Sequence, residues 1–266
     1  MDNKELLRLA IEASLAAGKI ILEIYEGDHE VEYKEDNSPL TKADKRSHLT
    51  IINQLSKSKF NTLSEEGKEI PFDERKRWEN YWLIDPLDGT KEFIKKNGEF
   101  TVNVALISGN YPVIGVVYAP VKKQFYFAAQ NIGAFYYVMN GSEISSSELI
   151  DNAVKIPIER EDKIFTAVAS RSHMNEETSE FVKNLEEKNG KINLISAGSS
   201  LKLCLVAEGK ADIYPRLAPT MEWDTAAGQA IVECAGKEVV IYKTGERLNY
   251  NKENLLNDWF IVREIK

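Results

Sequence analysis

Four apolar segments between Phe100 and Val138 constrain the fold of this chain more than any other feature. In each of them apolar residues recur with a period of two: Phe100 to Ile107, Val113 to Tyr118, Phe125 to Phe127 and Ala134 to Val138. Turn-forming residues stand between them, namely Gly109-Asn110, Asn131 and Gly133. This alternation is typical of strands with buried faces, and short Gly/Asn breaks are typical of hairpins. We therefore expect an antiparallel sheet.

Helical patterns lie on both sides of this stretch. Apolar residues have helical spacing from about Lys4 to Tyr25, and a second helix is predicted from Asp44 to about Lys57, so that two helices flank the sheet. Beyond residue 160 the patterns alternate between strand and helix, which favours an α/β layer. Strands are expected at Ile164 to Ala169, Ile192 to Ile195, Asp212 to Tyr214 and Glu238 to Ile241, and helices at Asn175 to Lys188, Leu201 to Glu208 and Thr225 to Cys234.

A polar segment from Asn140 to Glu161 separates the two patterns. We expect the chain to change there from an N-terminal α+β half, residues 1–150, to a C-terminal α/β half, residues 151–266. The N-terminal half would carry most of the chemistry-bearing carboxylates. No internal repeat is present.

Composition excludes several classes of protein. A net charge of −8 argues against binding to a nucleic-acid polymer. No apolar run is long enough for a transmembrane segment, and the acidic start of the chain is unlike a signal peptide. Cys204 and Cys234 lie in apolar helical contexts, so we expect no structural disulfide and a cytoplasmic location, with peripheral association with the inner membrane left open. The three histidines are far apart and lack zinc-ligand spacing.

The run from Trp82 to Thr90 carries the strongest chemical signal. Its apolar start predicts a buried strand, which ends in Asp85-Pro86-Leu87-Asp88-Gly89-Thr90. Pro86 fixes φ between the two aspartates, so a tight turn can direct both carboxylates and the Leu87 carbonyl at one point. Oxygen ligands of this kind suit Mg²⁺. Gly89 lets an anion approach the backbone, and Thr90 adds a hydroxyl where a helix turn can begin.

The run from Trp82 to Thr90 can also be explained in other ways. Asp, Pro and Gly are ordinary turn residues, so a strand, a turn and a helix cap is the plain alternative. An EF-hand loop is excluded because Leu87 stands where a carboxylate is needed. The nucleophile motif of haloacid-dehalogenase phosphatases has one residue between its aspartates, whereas two separate Asp85 from Asp88.

Two further acidic points accompany the run. Glu65-Glu66 closes a predicted strand, and the ends of strands are where active sites of layered α/β folds gather. Asp224, in Trp223-Asp224-Thr225-Ala226-Ala227-Gly228, stands at a predicted helix start, where capping alone would explain an aspartate. The same capping alternative applies to Asp44, in Thr41-Lys42-Ala43-Asp44.

Together these segments resemble the three signature motifs of the lithium-sensitive, magnesium-dependent phosphatases of the inositol monophosphatase superfamily. The order Glu65-Glu66, Asp85 to Thr90, Trp223 to Gly228 matches, and the motifs span most of the chain. Two longer segments are similar to the bacterial 3′(2′),5′-bisphosphate nucleotidases of the CysQ type: Tyr81 to Ile94 and Gly198 to Gly209. Lys91-Glu92-Phe93 follows the Gly-Thr pair here, where inositol monophosphatases more often have Thr-Asn-Phe. The resemblance implies an α+β fold, a layered α-β-α-β-α sandwich.

The resemblance also implies a set of site residues. Two or three Mg²⁺ would be held by Glu65, Asp85, the Leu87 carbonyl, Asp88 and Asp224. Four carboxylates around one pocket would repel one another unless cations were bound. Asp44 and Thr90, near Glu65, would position and deprotonate the attacking water. Glu65 would also take part in catalysis. The residues that would contact substrate are Glu65, Leu87, Asp88, Gly89, Thr90 and Asp224, with Ser199, Lys202 and Arg216 around a second, non-reacting phosphate and Ser170 and His173 near an adenine.

Three functions are compatible with this sequence. The first is a bisphosphate nucleotidase that converts 3′-phosphoadenosine 5′-phosphate (adenosine 3′,5′-bisphosphate) to AMP and phosphate. The second is an inositol or sugar phosphate phosphatase of the same fold. The third is a non-catalytic cation or nucleotide sensor, against which the complete carboxylate set argues. The oligomeric state is not predicted.

Overall fold

Two large β-sheets, a small two-stranded sheet of Val31–Tyr33 and Pro39–Thr41, and three layers of helices make up the part of the chain that the structure, a computed structural model, describes: residues 1–27, 31–33, 39–141, 143–161, 164–169 and 174–265. The helices are α1 (Asn3–Tyr25), α2 (Lys42–Leu55), α3 (Phe72–Arg75), α4 (Thr90–Ile94), α5 (Ser146–Asp151), α6 (Glu176–Asn189), α7 (Leu201–Glu208) and α8 (Glu222–Cys234). The strands are β1 (Val31–Tyr33), β2 (Pro39–Thr41), β3 (Asn61–Ser64), β4 (Asn80–Asp88), β5 (Thr101–Ser108), β6 (Tyr111–Ala119), β7 (Gln124–Ala129), β8 (Gly133–Val138), β9 (Val154–Ile156), β10 (Thr166–Val168), β11 (Asn193–Ile195), β12 (Ile213–Arg216), β13 (Lys237–Ile241) and β14 (Phe260–Glu264).

The first sheet has seven strands in the order β3-β4-β5-β6-β7-β8-β9. All of its pairs are antiparallel except β3–β4, which is parallel. The four strands predicted from the alternating pattern are β5 to β8, so that prediction is confirmed. Successive side chains point to opposite faces. On β4, Trp82 and Ile84 pack with α1 and α2, whereas Tyr81 and Leu83 face the other side, which α7 and α8 cover.

Helix α8 approaches this sheet so closely that one strand position must be glycine. A Cβ atom added at Gly115 of β6 would lie 2.2 Å from the carbonyl oxygen of Ala227. That distance is far below van der Waals contact, and both atoms belong to regular elements that cannot move separately. The contact fixes the distance between α8 and the sheet.

The second sheet has five strands in the order β11-β10-β12-β14-β13. Strands β10, β11 and β12 are parallel, and β14 lies antiparallel between β12 and β13. One face packs on α7 and α8, and the other packs on α6 through Val182 and its neighbours. The order of layers is therefore helix, sheet, helix, sheet, helix. This confirms the expected α+β sandwich.

Most predicted elements are present, with boundaries shifted by a few residues. Strand β14 was not predicted, although it lies between two other strands of its sheet. The polar segment from Asn140 to Glu161 contains α5 and β9, and β9 pairs with β8 of the first sheet. The division at residue 150 therefore stays a prediction, and we propose that the change of sheet follows Ile156.

Two further features of the structure concern the cysteines and the character of the helices. Cys204 and Cys234 are both free thiols, on α7 and α8. Among the described residues, no helix combines the length and the apolar character that a membrane crossing requires.

Candidate metal centre and phosphate site

The parallel strands β3 and β4 end side by side and place two carboxylates at the same edge of the first sheet. Glu65 follows β3, and its amide donates to the carbonyl of Ile84 at 3.1 Å, next to Asp85. Helix α2 holds both strand ends. Ser47 Oγ donates to the Pro86 carbonyl at 2.8 Å, and His48 Nδ1 lies 2.9 Å from Ser64 Oγ. Glu65 and Asp85 are thus fixed through backbone hydrogen bonds and a third element.

Helix α8 brings in the third carboxylate. One oxygen atom from each of Glu65, Asp85 and Asp224 lies within 4.8 Å of the other two. Asp224 is the third residue of α8, and its Oδ2 accepts the amide of Met221, the residue before the helix, at 2.9 Å. The capping interpretation is confirmed for this residue, and its role as a metal ligand stays a prediction. One oxygen caps the helix, and the carboxylate also joins the group of three.

Burial and mutual repulsion change the acidity of this group. Burial, followed by the charges of Glu65, Asp88 and Asp224, raises the pKa of Asp85 well above its ordinary value. Burial, with the charges of Asp88 and Glu65 adding to it, raises the pKa of Asp224 to about 8. The Met221 amide and the positive charge of Arg216 act in the opposite direction on Asp224. Without a cation this arrangement therefore disfavours the fully ionised state.

This donor set fits a hard divalent cation. Its oxygens are carboxylates on fixed elements, and a cation among them would relieve the repulsion that raises their pKa values. The other two predicted ligands stand beside the group. The Leu87 carbonyl lies 3.4 Å from the Thr90 hydroxyl, and Asp88 Oδ2 accepts from Ser200 Oγ at 2.8 Å and, more weakly, from Asn103 Nδ2 at 3.4 Å. The assignment of all five as ligands stays a prediction.

Asp44 and Thr90 are brought together as predicted. Thr90 Oγ1 donates to Asp44 Oδ1 at 3.1 Å, while Asp44 Oδ2 accepts from both the amide and the hydroxyl of Thr41. Asp44 therefore belongs to a capping box at the start of α2 and also reaches the site. Burial raises its pKa, against the hydrogen bonds from Thr41 and Thr90.

Glycine is required at position 89 for a structural reason that was not predicted from the sequence. Its φ is +95°, in the left-handed region, and a Cβ there would lie 2.4 Å from Ser199 Oγ. Ser199 Oγ in turn contacts the carbonyls of Asp88 and Glu99 at 2.8 and 2.9 Å. Gly89, which would let an anion approach, therefore also lies where the segment before α7 packs against the turn at Asp88.

The two predicted cationic side chains have different neighbours. Lys202 Nζ donates to the Ser199 carbonyl at 3.1 Å, whereas Arg216, at the end of β12, is close enough to Asp224 to lower its pKa. Arg216 Nη2 donates to the Pro219 carbonyl at 2.9 Å, and its buried Nε has no hydrogen-bond partner within the described parts of the chain. Ser170 and His173 lie outside the described residues.

Two residues that were not predicted from the sequence, Asn103 and Ser200, link the Asp88 carboxylate to the Asp224 backbone. Ser200 Oγ lies 2.8 Å from Asp88 Oδ2 and 2.7 Å from the Asp224 carbonyl, and it accepts from Asn103 Nδ2 at 2.7 Å. A polar signal existed for Asn103, an amide inside the alternating strand β5. Ser200 lies in the segment from Gly198 to Gly209 that carries the family resemblance, but no function was predicted for it.

Comparison with known proteins agrees with this geometry. Residues 2–260 match the Inositol monophosphatase family. The chain is 43% identical to the 3′(2′),5′-bisphosphate nucleotidase CysQ of Salmonella typhimurium over 251 residues, 92% of this chain and 94% of that protein. It is 42% identical to the protein of the same name from Escherichia coli K12, over 92% and 94% of the two chains.

A solved structure extends the likeness to three dimensions. The crystal structure of CysQ from Bacteroides thetaiotaomicron, described as a bacterial member of the inositol monophosphatase family, has a TM-score of 0.89 to this chain. It is 48% identical in sequence, and the alignment covers 99% of this chain and 98% of that one. The sequence match and the fold thus agree over nearly the whole length. The chain belongs to the inositol monophosphatase family.

Proposed function

We propose that this protein is a Mg²⁺-dependent 3′(2′),5′-bisphosphate nucleotidase that hydrolyses 3′-phosphoadenosine 5′-phosphate to AMP and phosphate. The observation that carries the proposal is the likeness to bacterial nucleotidases along more than nine-tenths of the chain. The site geometry supports the metal-dependent part of the proposal, because Glu65, Asp85 and Asp224 lie together beside two parallel strands and the start of α8.

Glu65, Asp85, the Leu87 carbonyl, Asp88 and Asp224 are the residues that would hold the cations. Bound Mg²⁺ would lower the pKa of a coordinated water from about 15.7 toward neutrality and stabilise charge on the phosphoryl oxygens. No side chain is then needed as a covalent nucleophile.

Asp44 and Thr90 are suited to orient the attacking water. Because the Thr90 hydroxyl donates its proton to Asp44, its lone pairs remain free to accept a hydrogen bond from water. Asp44 is held by Thr41 on its other oxygen, so its direction is fixed. Burial raises the pKa of Asp44 toward the working pH, which makes the carboxylate a better proton acceptor.

Lys202 and Arg216 support recognition of a substrate with two phosphates. One phosphate would lie at the carboxylate cluster, where it depends on the cations. The other would be held by side chains, and the buried Arg216 Nε is a donor without an acceptor among the described residues. A guanidinium fork binds phosphate in two-pronged fashion, and a lysine adds a point charge.

A phosphate-release panel tests the proposal. We expect turnover of 3′-phosphoadenosine 5′-phosphate to exceed that of inositol 1-phosphate and fructose 1,6-bisphosphate, to require Mg²⁺ and to be inhibited by Li⁺. Preference for either sugar substrate would favour the inositol or sugar phosphatase alternative. Full activity in excess chelator, or a trapped aspartyl-phosphate, would contradict the metal-dependent mechanism.

A further inference from the structure

Residues 249–257, here called the C-terminal strap, cross the first turn of α8. Three backbone contacts hold the strap there. The Glu222 amide donates to the Leu255 carbonyl at 2.9 Å, Met221 and Leu256 form an isolated β-bridge, and the Asn257 amide donates to the Thr220 carbonyl at 2.8 Å. The strap therefore covers the turn of α8 that carries Asp224.

Asn257 forms the shortest connection from the strap to the candidate metal centre. Its side chain is buried, and Nδ2 donates to the Met221 carbonyl at 2.8 Å and lies 2.9 Å from Thr225 Oγ1. Met221 is the residue whose amide holds Asp224 Oδ2. The side-chain amide of Asn257 is thus linked to the carboxylate of Asp224 through one residue, Met221.

Glu222 holds the other part of the strap. Its fully buried carboxylate accepts the amides of Asn251 and Lys252 at 2.7 and 3.0 Å and the Lys252 ammonium at 2.7 Å. A buried carboxylate is costly unless it is paired and hydrogen-bonded, and here both requirements are met. Glu222 lies two residues before Asp224, so these bonds fix the same turn of the helix.

Arg75, in the N-terminal half, is hydrogen-bonded to the strap. Its Nη1 donates to Asn251 Oδ1 at 2.9 Å and its Nη2 to the Glu253 carbonyl at 2.8 Å, while Asn251 Nδ2 returns a bond to the Arg75 carbonyl at 2.8 Å. Arg75 ends α3, in the connection that follows Glu65 and leads to β4. The strap is consequently tied on one side to the segment between two candidate ligands and on the other to the helix of the third.

We propose that the C-terminal strap positions Asp224 for cation binding, with Asn257 as the principal positioning residue. The inference rests on the proposed metal site and adds a residue remote from it in sequence. Groups that orient metal ligands without touching the metal commonly change its affinity by 10- to 100-fold. Loss of the Asn257 side chain would remove one hydrogen bond from the Met221 carbonyl and one from Thr225, which stand on either side of Asp224 in the first turn of α8. The turn that directs Asp224 Oδ2 would be held less firmly as a result.

The test is a Mg²⁺ titration of the purified full-length chain, read by calorimetry and by the rise in Tm. We expect Asn257→Ala to raise the apparent Kd for Mg²⁺ by about tenfold or more. Phosphate release at saturating Mg²⁺ should recover most of its rate, because no group that contacts substrate is removed. Asn257→Leu, which keeps the size and the neutral charge but loses the donated bonds, should weaken Mg²⁺ binding in the same direction.

Asn110→Ala is the matched control. Asn110 Nδ2 also donates to a strap carbonyl, that of Tyr250, at 2.8 Å, but this carbonyl lies seven positions before Asn257, whereas Asn257 Nδ2 bonds Met221 itself. We expect a loss of Tm with Mg²⁺ affinity unchanged within about twofold, well below the tenfold effect of removing a group that orients a ligand. Equal Mg²⁺ affinity in wild type and both Asn257 variants would overturn the strap proposal. Absence of Mg²⁺ binding in the wild type would instead overturn the proposed metal site.

Discussion

Asp224 has two carboxylate oxygens, and the fold uses one of them for its own backbone. Oδ2 accepts the Met221 amide and caps α8, while the carboxylate also belongs to the cluster with Glu65 and Asp85. Asp44 repeats the arrangement at the start of α2, with one oxygen on Thr41 and the other on Thr90. Because an asparagine still offers one carbonyl oxygen, the structural and chemical roles of such residues can be separated by substitution.

Asp85→Asn, Asp88→Asn and Asp224→Asn should each reduce kcat by on the order of a hundredfold or more, since loss of a metal ligand removes several kcal/mol of charge stabilisation. The fold should persist, because the amide oxygen can accept the bonds from Leu87 and Met221. Phosphate release and circular dichroism measure the two effects. Asp151→Asn, at an exposed position, is the control. Near-normal turnover in any of the three would remove that residue from the ligand set.

Lys202→Ala and Arg216→Ala should separate substrate choice from hydrolysis. A charge-assisted bond to phosphate contributes roughly 1.5–3 kcal/mol, so kcat/KM for the bisphosphate should fall about ten- to a hundredfold. A nucleoside monophosphate leaves the second phosphate position empty, and its slow hydrolysis should change little. Lys183→Ala on exposed α6 serves as control. Equal losses on both substrates would show that these cations support the metal site or the fold.

Residue types and spacing predicted the carboxylates well, but not the groups that hold them. Glu65, Asp85 and Asp224 stand in recognisable segments, and the structure brings them within one cluster. Ser200 contacts Asp88 across 112 positions of the chain. A contact over such a distance leaves no local pattern, so only the folded structure identifies the side chains that orient the site.

At the scale of elements, clear boundaries decided which segments were predictable. Strands β5 to β8 are apolar runs with turn residues near their ends, and α7, which stops before Gly209, has the predicted bounds. Most residues of β5 and β6 are buried whichever way they point, because helices cover both faces of the sheet. Strand β14 is a short apolar run after an irregular connection, and nothing local distinguishes it from a buried loop. Strand β9 lies in a polar segment and is recognised only by its pairing with β8.

Gly115→Ala should destabilise the protein through the contact between β6 and α8. The new methyl group would meet the Ala227 carbonyl at 2.2 Å, and neither regular backbone can shift alone. Overpacking of this kind costs about 1–3 kcal/mol or more. Thermal or urea unfolding measures it. Gly27→Ala adds the same methyl group where its nearest neighbour is 3.6 Å away, and it should cost much less. A similar loss in both variants would mean that the close approach is relieved by adjustment.

For the whole molecule, the candidate site joins parts that are distant along the chain. Glu65 and Asp85 come from the first sheet, whereas Asp224 comes from a helix between the two sheets. A bound cation would therefore stabilise the contact between layers as well as catalyse a reaction. Since metal binds only the folded arrangement, its binding free energy adds to stability.

The pH dependence of stability should reverse when Mg²⁺ is added. In the metal-free fold the pKa of Asp224 is about 8, above its ordinary value of 3.8. Between these values the folded state binds more protons than the unfolded chain, so the contribution of Asp224 to stability falls as pH rises from about 4 to 8. Saturating Mg²⁺ binds the ionised carboxylate, so the stabilisation by Mg²⁺ should grow with pH.

Tm measured from pH 5 to 8, with chelator and with Mg²⁺, tests this expectation. The difference between wild type and Asp224→Asn reports the loss of this carboxylate together with its effect on Asp85, whose pKa the charge of Asp224 raises. In chelator the variant should gain stability relative to wild type as pH rises. An unchanged difference across the range would show that Asp224 titrates normally in the fold.

The position of α8 between the sheets also has a consequence for the order in which the chain is made. All seven strands of the first sheet precede residue 157, but the two helices that cover their second face, α7 and α8, begin only at Leu201 and Glu222. At roughly 5–20 residues per second, synthesis of the intervening chain up to Gly228 takes roughly 4–14 s. During that time Tyr81, Leu83 and the residues beside them have no native cover. A growing chain of this protein would therefore be a substrate for chaperones, and a fragment ending before α8 would aggregate rather than fold.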